Sequence, residues 1–173
     1  MSGSLIKIDE EIVTSAVASV TLTGIDSTYD VYMVKGNGIV ATVANDSYMR
    51  VTTSGTPDTS ANYDYAYKGL RVDTTFSNTA QVNQTGFQNV FRWSTTTTSG
   101  VTGNGILYLF NFNNASEYSF FTNESTTQWS GGLLGSQGGG VFKQNSVVDG
   151  VQLFQLTGGN ITAGTFTLYG LKK

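Results

Sequence analysis

The chain has 173 residues and contains neither histidine nor cysteine. Histidine is the usual general base near neutral pH, and cysteine is the usual thiol nucleophile and soft metal ligand, so this composition excludes His-dependent triads, ordinary zinc sites and disulfides. Charged residues make up 12% of the chain, about half of the ~25% found in typical globular domains, and the net charge is −3. These properties favour a surface-forming protein over a hydrolase that would have to work with carboxylates alone.

The charge and hydropathy patterns also bear on partners. The basic residues form no cluster apart from Lys172-Lys173, so binding to nucleic-acid phosphates has little support. No apolar run approaches the ~20 residues that span a bilayer. The first five residues lack the basic and apolar regions of a secretory signal, so we expect a protein made and used, or assembled, in a cytoplasm. No residue pattern requires a cofactor.

Short segments of alternating apolar and polar residues predict strands along the first third of the chain. These predicted strands are 5–8, 16–22, 29–35, 39–44 and 48–53. Gly36-Asn37-Gly38 predicts a hairpin turn, because Asn-Gly readily adopts positive φ. Asn45-Asp46 predicts a second turn. The only stretch compatible with a helical turn is 9–17.

The clearest two-residue period is formed by Tyr63, Tyr65 and Tyr67, which would stand on one face of a strand. One interpretation is a partly buried aromatic ladder with its hydroxyls at the rim. The other is a stripe that stacks on sugars or contacts a partner protein. Together with Trp93 and Trp129, these tyrosines are the candidate ligand-binding or interface residues.

The rest of the chain alternates predicted strands with polar segments. The predicted strands are 70–76, 87–93, 105–112, 117–122, 147–156 and 161–171. The predicted loops are 77–86 and 131–140, and 95–100 is predicted to be an exposed loop or a strand edge. The glycine-rich segment 131–140 has no phosphate-binding motif, so it predicts a flexible or conformationally special loop.

About ten short strands separated by Gly and Asn turns predict an all-β protein, an antiparallel sandwich or barrel, and a jelly-roll-like sandwich matches the size. We predict a single domain over residues 1–173, with a short N-terminal arm over about 1–15.

Carboxylates are the remaining candidates for chemistry. A pair of them could hydrolyse glycosides, and clusters of them could bind calcium. The candidate pairs are Asp64 with Asp73 and Glu117 with Glu124, and the candidate calcium ligands are Asp9-Glu10-Glu11 and Asp26 with Asp30. All lie among polar residues, where a solvated carboxylate is the default, so we predict no catalytic and no metal-binding residue.

The C-terminal residues Gly164-Thr165-Phe166-Thr167-Leu168-Tyr169-Gly170-Leu171 have the form G-x-F/I-x-L-Y-G-L/I. This ending resembles that of small structural proteins of tailed bacteriophages, notably those that infect marine bacteria. The tyrosine alternation at 63–67 and the opening segment 18–32 are similar to the same group. The resemblance implies a virion component with a jelly-roll-like β domain, often trimeric, found as a capsid decoration, knob or fibre domain, and it carries over no catalytic residue.

The sequence therefore predicts a non-enzymatic virion structural protein of a tailed phage, assembled in the host cytoplasm. The favoured role is capsid decoration or a knob, through symmetric contacts with itself, as a trimer, and with other virion proteins such as the major capsid protein. One alternative is a tail-fibre or receptor-binding domain that recognises a host glycan, and a weaker one is a carboxylate-based glycan depolymerase. No cofactor, nucleic acid or membrane is expected as a partner.

Overall fold

The computed structural model describes residues 4–43, 47–95 and 100–171. These residues form thirteen strands and no helix. The strands are β1 Leu5–Val13, β2 Ser19–Thr23, β3 Val31–Ala41, β4 Ser47–Thr53, β5 Thr56–Pro57, β6 Tyr63–Arg71, β7 Ser77–Gln84, β8 Phe87–Gln88, β9 Gly103–Phe110, β10 Ser119–Trp129, β11 Gly132–Phe142, β12 Gly150–Gln155 and β13 Ile161–Leu171.

The strands form two antiparallel sheets. Sheet A has eight strands in the order β1-β13-β3-β9-β10-β11-β6-β7, and sheet B has five in the order β2-β12-β4-β5, with β8 paired to β4. This arrangement confirms the predicted antiparallel, jelly-roll-like β-sandwich. The thirteen strands exceed the roughly ten expected from the sequence, and two of them, β5 and β8, have only two residues each.

The core lies between the sheets because every second side chain of the central strands points inward. Val34 and Leu107 from sheet A and Met49 and Leu153 from sheet B are all fully buried in one cluster. Burying each such side chain stabilises the fold by roughly 1.5–3 kcal/mol, and this burial fixes the register of the strands.

The hairpin predicted at Gly36-Asn37-Gly38 is wrong. β3 continues through these residues and pairs with both β13 and β9. Its register against β9 shifts between Gly36 and Ile39, and Gly38 has a φ of 67°. The positive-φ signal that predicted a turn is used here for a β-bulge within a continuous strand.

The loop predicted at 131–140 is also wrong, because most of this segment belongs to β11, between β10 and β6. A Cβ atom on Gly138 would lie 2.3 Å from the carbonyl oxygen of Ala66, and one on Gly140 would lie 2.6 Å from Cε1 of Phe121. The glycines therefore let neighbouring strands and rings approach closely, rather than making the segment flexible.

Two boundaries around β7 differ from the prediction. β6 ends at Arg71, and the chain turns at Thr74, which has a φ of 62° and donates its N–H to the Arg71 carbonyl at 3.2 Å. The segment 77–86, predicted as a loop, contains strand β7. Nearly all of β7 is exposed on both faces, so its sequence carries no alternation that would reveal a strand.

The strand predicted over 87–93 is limited to β8, because Asn89 adopts a φ of 55° and the chain then leaves the sheet. Buried polar side chains of β10 and β11 bond the irregular backbone that follows. Asn123 Nδ2 donates to the carbonyls of Asn89 and Val90 at 3.3 and 3.2 Å, and Ser125 Oγ accepts the N–H of Arg92 at 3.0 Å. These bonds replace the ladder that a strand would have made.

The helical turn considered at 9–17 is absent, since β1 pairs with β13 as far as Val13. Residues 5–13 of the predicted N-terminal arm therefore lie in sheet A as an edge strand. The predicted turn at Asn45-Asp46 and the pair Lys172-Lys173 lie outside the described residues.

Candidate interaction surfaces

The tyrosines of β6 point into the sandwich. Tyr63 is fully buried and Tyr65 is 5% exposed. The Tyr63 ring lies 4.8 Å from the Phe87 ring and 4.9 Å from the Phe142 ring, between centroids, and its hydroxyl donates to the Asp58 carbonyl at 2.9 Å. Burial raises the pKa of Tyr63 well above its usual value. Both rings belong to the aromatic core and offer no face to a ligand.

Tyr67, the third member of the ladder, is half-buried and stacks on Tyr65 with 6.3 Å between ring centroids. Its hydroxyl accepts a hydrogen bond from Asn89 Nδ2, and the Arg92 guanidinium lies 5.7 Å from its ring centroid. Trp93 is 7% exposed and belongs to the same core cluster. Of the five candidate aromatics, Trp129 is the one with a substantially exposed ring.

Trp129 belongs to an apolar patch at one end of sheet A, which we call the end patch. Its members are Val72, Phe76, Trp129 and Leu133, and each exposes between 37% and 59% of its surface. By the strand register, Val72 and Leu133 project from one face of the sheet and Trp129 from the other. They lie on the β6–β7 connection and the β10–β11 hairpin, which are joined by a hydrogen bond from the Val72 N–H to the Leu133 carbonyl at 3.2 Å. Exposed apolar side chains grouped in this way mark interaction sites more often than scattered ones do.

The Arg71 side chain is built into the end patch. The Arg71 guanidinium lies 4.3 Å from the Trp129 ring centroid and 3.0 Å from the Asp73 carboxylate. A Cβ atom on Gly131 would lie 2.5 Å from the indole ring, so the hairpin turn packs directly against Trp129. The ring is thereby held in place at the surface instead of turning freely.

A shallow groove crosses the outer face of sheet A beside the end patch. Gly139, Ala66 and Ala80 are neighbours across β11, β6 and β7, and this row of small residues leaves a depression of about 480 Å³. The lining residues are Ala66, Tyr67, Lys68, Asn78, Thr79, Ala80 and Gln137. Amide and ammonium groups line it, so it suits a ligand rich in hydroxyl or carbonyl oxygens.

The structure separates the carboxylates of each candidate catalytic pair. Asp64 and Asp73 lie at opposite ends of β6, and its seven-residue advance from 64 to 71 spans about 23 Å. Glu117 precedes β10 and Glu124 lies five residues along it from Ser119, about 16 Å. Paired glycosidase carboxyls stand roughly 5–10 Å apart, so neither pair has that geometry.

The electrostatics of these carboxylates point the same way. Asp64 lies 2.9 Å from Lys143 Nζ and accepts the N–H of Asn83 at 2.7 Å, and both contacts lower its pKa. The Thr75 N–H and Arg71 lower the pKa of Asp73. A general acid in glycoside hydrolysis uses a raised pKa, so both shifts have the opposite sign.

The candidate calcium ligands are bonded to groups of the protein. Asp9 accepts the N–H of Thr23 at 2.7 Å, whereas Glu10 points to the other face of β1, where Lys7 and Thr167 each donate to it at 3.1 Å and lower its pKa. Asp26 accepts the Thr28 N–H at 2.8 Å and the Tyr32 hydroxyl at 3.0 Å. Within residues 4–43, 47–95 and 100–171, no three His, Cys, Asp or Glu side chains are grouped as a metal site would require.

Comparisons with known proteins add little to these surfaces. No protein-family model and no curated protein sequence matches the chain. Among solved structures, the galectin LEC-6 of Caenorhabditis elegans aligns over 95% of this chain and 96% of its own, with a TM-score of 0.37 and 8% identity. This likeness is too low to carry an argument about function. No described segment is a helix of the length and apolar character needed to cross a membrane.

Proposed function

We propose that the chain is a non-enzymatic structural protein of a tailed-phage virion, with capsid decoration or a knob as the favoured role. The observation that supports this proposal best is the end patch, in which Val72, Phe76, Trp129 and Leu133 are all exposed at one end of sheet A. A chain with only 12% charged residues that also exposes such a patch has the composition of a protein that buries its surface in an assembly.

The chemistry of the end patch suits a protein partner. Covering an aliphatic or aromatic side chain contributes roughly 1.5–3 kcal/mol when it becomes fully buried. Trp and Arg are the residue types most enriched at the centres of interfaces, and here Arg71 already lies over the Trp129 ring and beside Asp73. Covering the patch therefore leaves the ion pair of Arg71 with Asp73 in place.

The phage assignment is supported by the resemblance at 164–171. These residues form most of β13, which lies between β1 and β3, and its Phe166 and Leu168 are fully buried. The motif therefore describes how this type of domain builds a strand near the edge of its sheet. It supports assignment to the small structural proteins of tailed phages but identifies no contact surface. We assign the contact with other virion proteins to the end patch.

Co-sedimentation with phage heads tests the proposal. Purified protein is mixed with DNA-filled, tail-less heads of the phage that encodes it, and we expect the wild type to sediment with them. A Val72→Glu, Leu133→Glu variant should bind at least about tenfold more weakly, since it places charges in the contact. Val147→Glu, at an exposed position outside the patch, is the matched control and should bind as the wild type does. Wild-type protein that stays in the supernatant would contradict the proposal.

The groove supports a second candidate, a receptor-binding domain that recognises a host glycan. Lys68, Asn78 and Gln137 supply donors around a floor of small residues, which fits sugar hydroxyls. Purified protein would then compete with phage adsorption, and an Asn78→Ala, Gln137→Ala variant would lose that competition. Gln128→Ala, on an exposed position of β10 outside the groove, is the control. Equal competition by the groove variant would rule this candidate out.

A further inference from the structure

One edge of sheet A is open to another strand. Among the described residues, β7 pairs with β6 alone, and its other side is a sheet edge. β7 has eight residues, Ser77–Gln84, with no charged residue and no proline. Natural sheets usually protect such an edge with charge, proline or a covering segment, because its unpaired main-chain groups can bind another strand.

The hydrogen bonds of β6 show which groups of β7 face outward. The Val72 N–H donates to the Leu133 carbonyl, and the Lys143 N–H donates to the Asn62 carbonyl, so the even-numbered residues along β6 bond to β11. In an antiparallel sheet the odd-numbered residues then bond to β7, where Tyr67 is paired with Thr79. It follows that Asn78 and Ala80 direct their N–H and C=O groups away from β6.

We propose that β7 is the contact with a second copy of this chain: two β7 strands pair antiparallel about a two-fold axis and join their A sheets into one. This inference rests on the proposed assembly role, names one partner for it, and replaces the trimer expected from the sequence with a dimer. The contact uses main-chain hydrogen bonds of Asn78 and Ala80, while the side chains of β7 decide which strands can approach.

Charge favours a second copy as the occupant. Because β7 is uncharged, a two-fold axis through it brings no like charges face to face. The axis also reverses the strand, so the end of β7 beside Lys68 approaches the partner's end, where Asp64 and Lys143 neutralise each other. A copy of the same strand is thus electrostatically acceptable along its whole length.

The opposite edge strand of sheet A, β1, is unsuited to pair with β7 of another copy. β1 carries Lys7, Asp9, Glu10 and Glu11 within nine residues, and its register against β13 shifts between Lys7 and Asp9. Pairing β7 with β1 of the next copy would build an open filament, but the charges and the irregular register oppose it. A β7–β7 pair uses the same strand twice and ends with a dimer.

The length of the contact is set by a bulge near the end of β7. Asn83 has a φ of 55°, its N–H donates to Asp64, and its amide oxygen accepts a hydrogen bond from Lys143 Nζ at 2.8 Å. The register between β6 and β7 shifts in this region, between Tyr63 and Tyr65. The regular part of the edge is therefore 77–81, which includes Asn78 and Ala80.

Sedimentation velocity over a range of concentrations tests the dimer. We expect the wild type to be dimeric, and Ala80→Pro to weaken association by about tenfold or more, because it removes an N–H that points to the partner. That N–H points away from β6, so the thermal unfolding of Ala80→Pro should stay close to that of the wild type. Ala80→Thr keeps the N–H and is the matched control, which should remain dimeric.

A second variant covers the case in which Ala80→Pro fails to fold. Asn78→Lys with Ala80→Lys keeps the backbone and places like charges across the two-fold axis, so it should also be monomeric. A wild type that is monomeric at every concentration, a wild-type trimer, or an Ala80→Pro variant as dimeric as the wild type would each overturn the inference. Head binding is read separately: a dimer that does not bind heads contradicts the virion role and leaves the β7 contact standing.

Discussion

The two edge strands of sheet A, β1 and β7, differ in charge and in regularity. β1 carries four charged residues and a register shift, and its Asp9 bonds to Thr23 of sheet B. β7 carries no charge and is attached to β6 alone among the described strands. Both are exposed edge strands, so exposure by itself does not distinguish them. The difference lies in the features that hinder pairing with a further strand, and of the two edges β1 has them to a much greater degree.

The edges also differ in what holds them to the sandwich. β1 is bonded to sheet A through β13 and to sheet B through a side chain, whereas β7 depends on β6, and β6 in turn lies against the glycines of β11. The open edge is therefore the less strongly anchored one. Changes that act on the anchors of each edge test this comparison, and the largest effect is expected where β6 and β11 approach most closely.

Gly138→Val should be the most damaging of these changes. Its Cβ would lie 2.3 Å from the Ala66 carbonyl oxygen, so β6 would have to move and carry β7 with it. We expect a loss of about 3 kcal/mol in the free energy of unfolding, measured by denaturant titration. Gln137→Val, an exposed neighbour on the same strand, is the control and should change stability little. Wild-type stability for Gly138→Val would mean that the close approach is not needed.

Asp9→Ala tests the side-chain bond that attaches the edge strand β1 to sheet B. Asp9 accepts the N–H of Thr23 at 2.7 Å and the N–H of Glu10 at 2.9 Å, so its removal should cost about 1 kcal/mol of unfolding free energy. Hydrogen exchange of the β1 amides should also become faster, while that of β7 stays the same. Glu11→Ala, an exposed position on the same strand, should leave both measurements unchanged. Faster exchange in β7 as well would show that the two edges are not independent.

Much of the sandwich could be predicted from alternation, because strands with one buried face show it directly. Phe166 and Leu168 of β13 and Val20 and Leu22 of β2 are buried as their spacing predicts. β7 could not be found in this way, since an edge strand that is exposed on both faces has no alternation. The segment after Phe87 was predicted as a strand because its aromatic residues alternate. Its backbone is instead bonded by side chains of β10 and forms no ladder with a neighbouring strand.

The candidate surfaces depend on register, which the sequence does not contain. Trp129 could be selected as an aromatic residue, but its contact with Arg71 of β6 arises only when β11 pairs with both β10 and β6. Likewise the glycines of β11 carry a local loop signal, while their close contacts with Ala66 and Phe121 are tertiary. Local preference and long-range packing disagree at these positions, and packing determines the structure.

Acid titration tests the Asp64 carboxylate, which accepts the N–H of Asn83 in the bulge of β7. Lys143 and the Asn83 N–H lower the pKa of Asp64 in the folded state. The ionised Asp64 therefore makes its full contribution to the free energy of unfolding above its ordinary pKa near 3.9, and this contribution is lost as the pH falls through the lower folded pKa. Asp64→Asn should therefore be less stable than the wild type by about 0.5 kcal/mol at pH 7, and the difference should shrink below about pH 4. A difference that stays constant down to pH 2 would exclude this origin.

The smallest change in stability is expected when the charges of β1 are removed. Lys7→Thr, Glu10→Gln and Glu11→Thr together retain Asp9 and its bond to Thr23, so the fold should keep its unfolding midpoint. Association should increase, but only at the highest concentrations, because the register shift between Lys7 and Asp9 still makes the edge irregular.

The triple variant is best measured by sedimentation in an Ala80→Pro background, where the β7 contact is already blocked. Any concentration-dependent association in that background must use another surface, and slower hydrogen exchange of the β1 amides on association would identify β1 as that surface. If the variant stays monomeric throughout, the charges of β1 contribute nothing to guarding its edge. The difference between the two edges would then rest on strand regularity alone, with β7 open because its backbone is regular and β1 closed because its backbone is not.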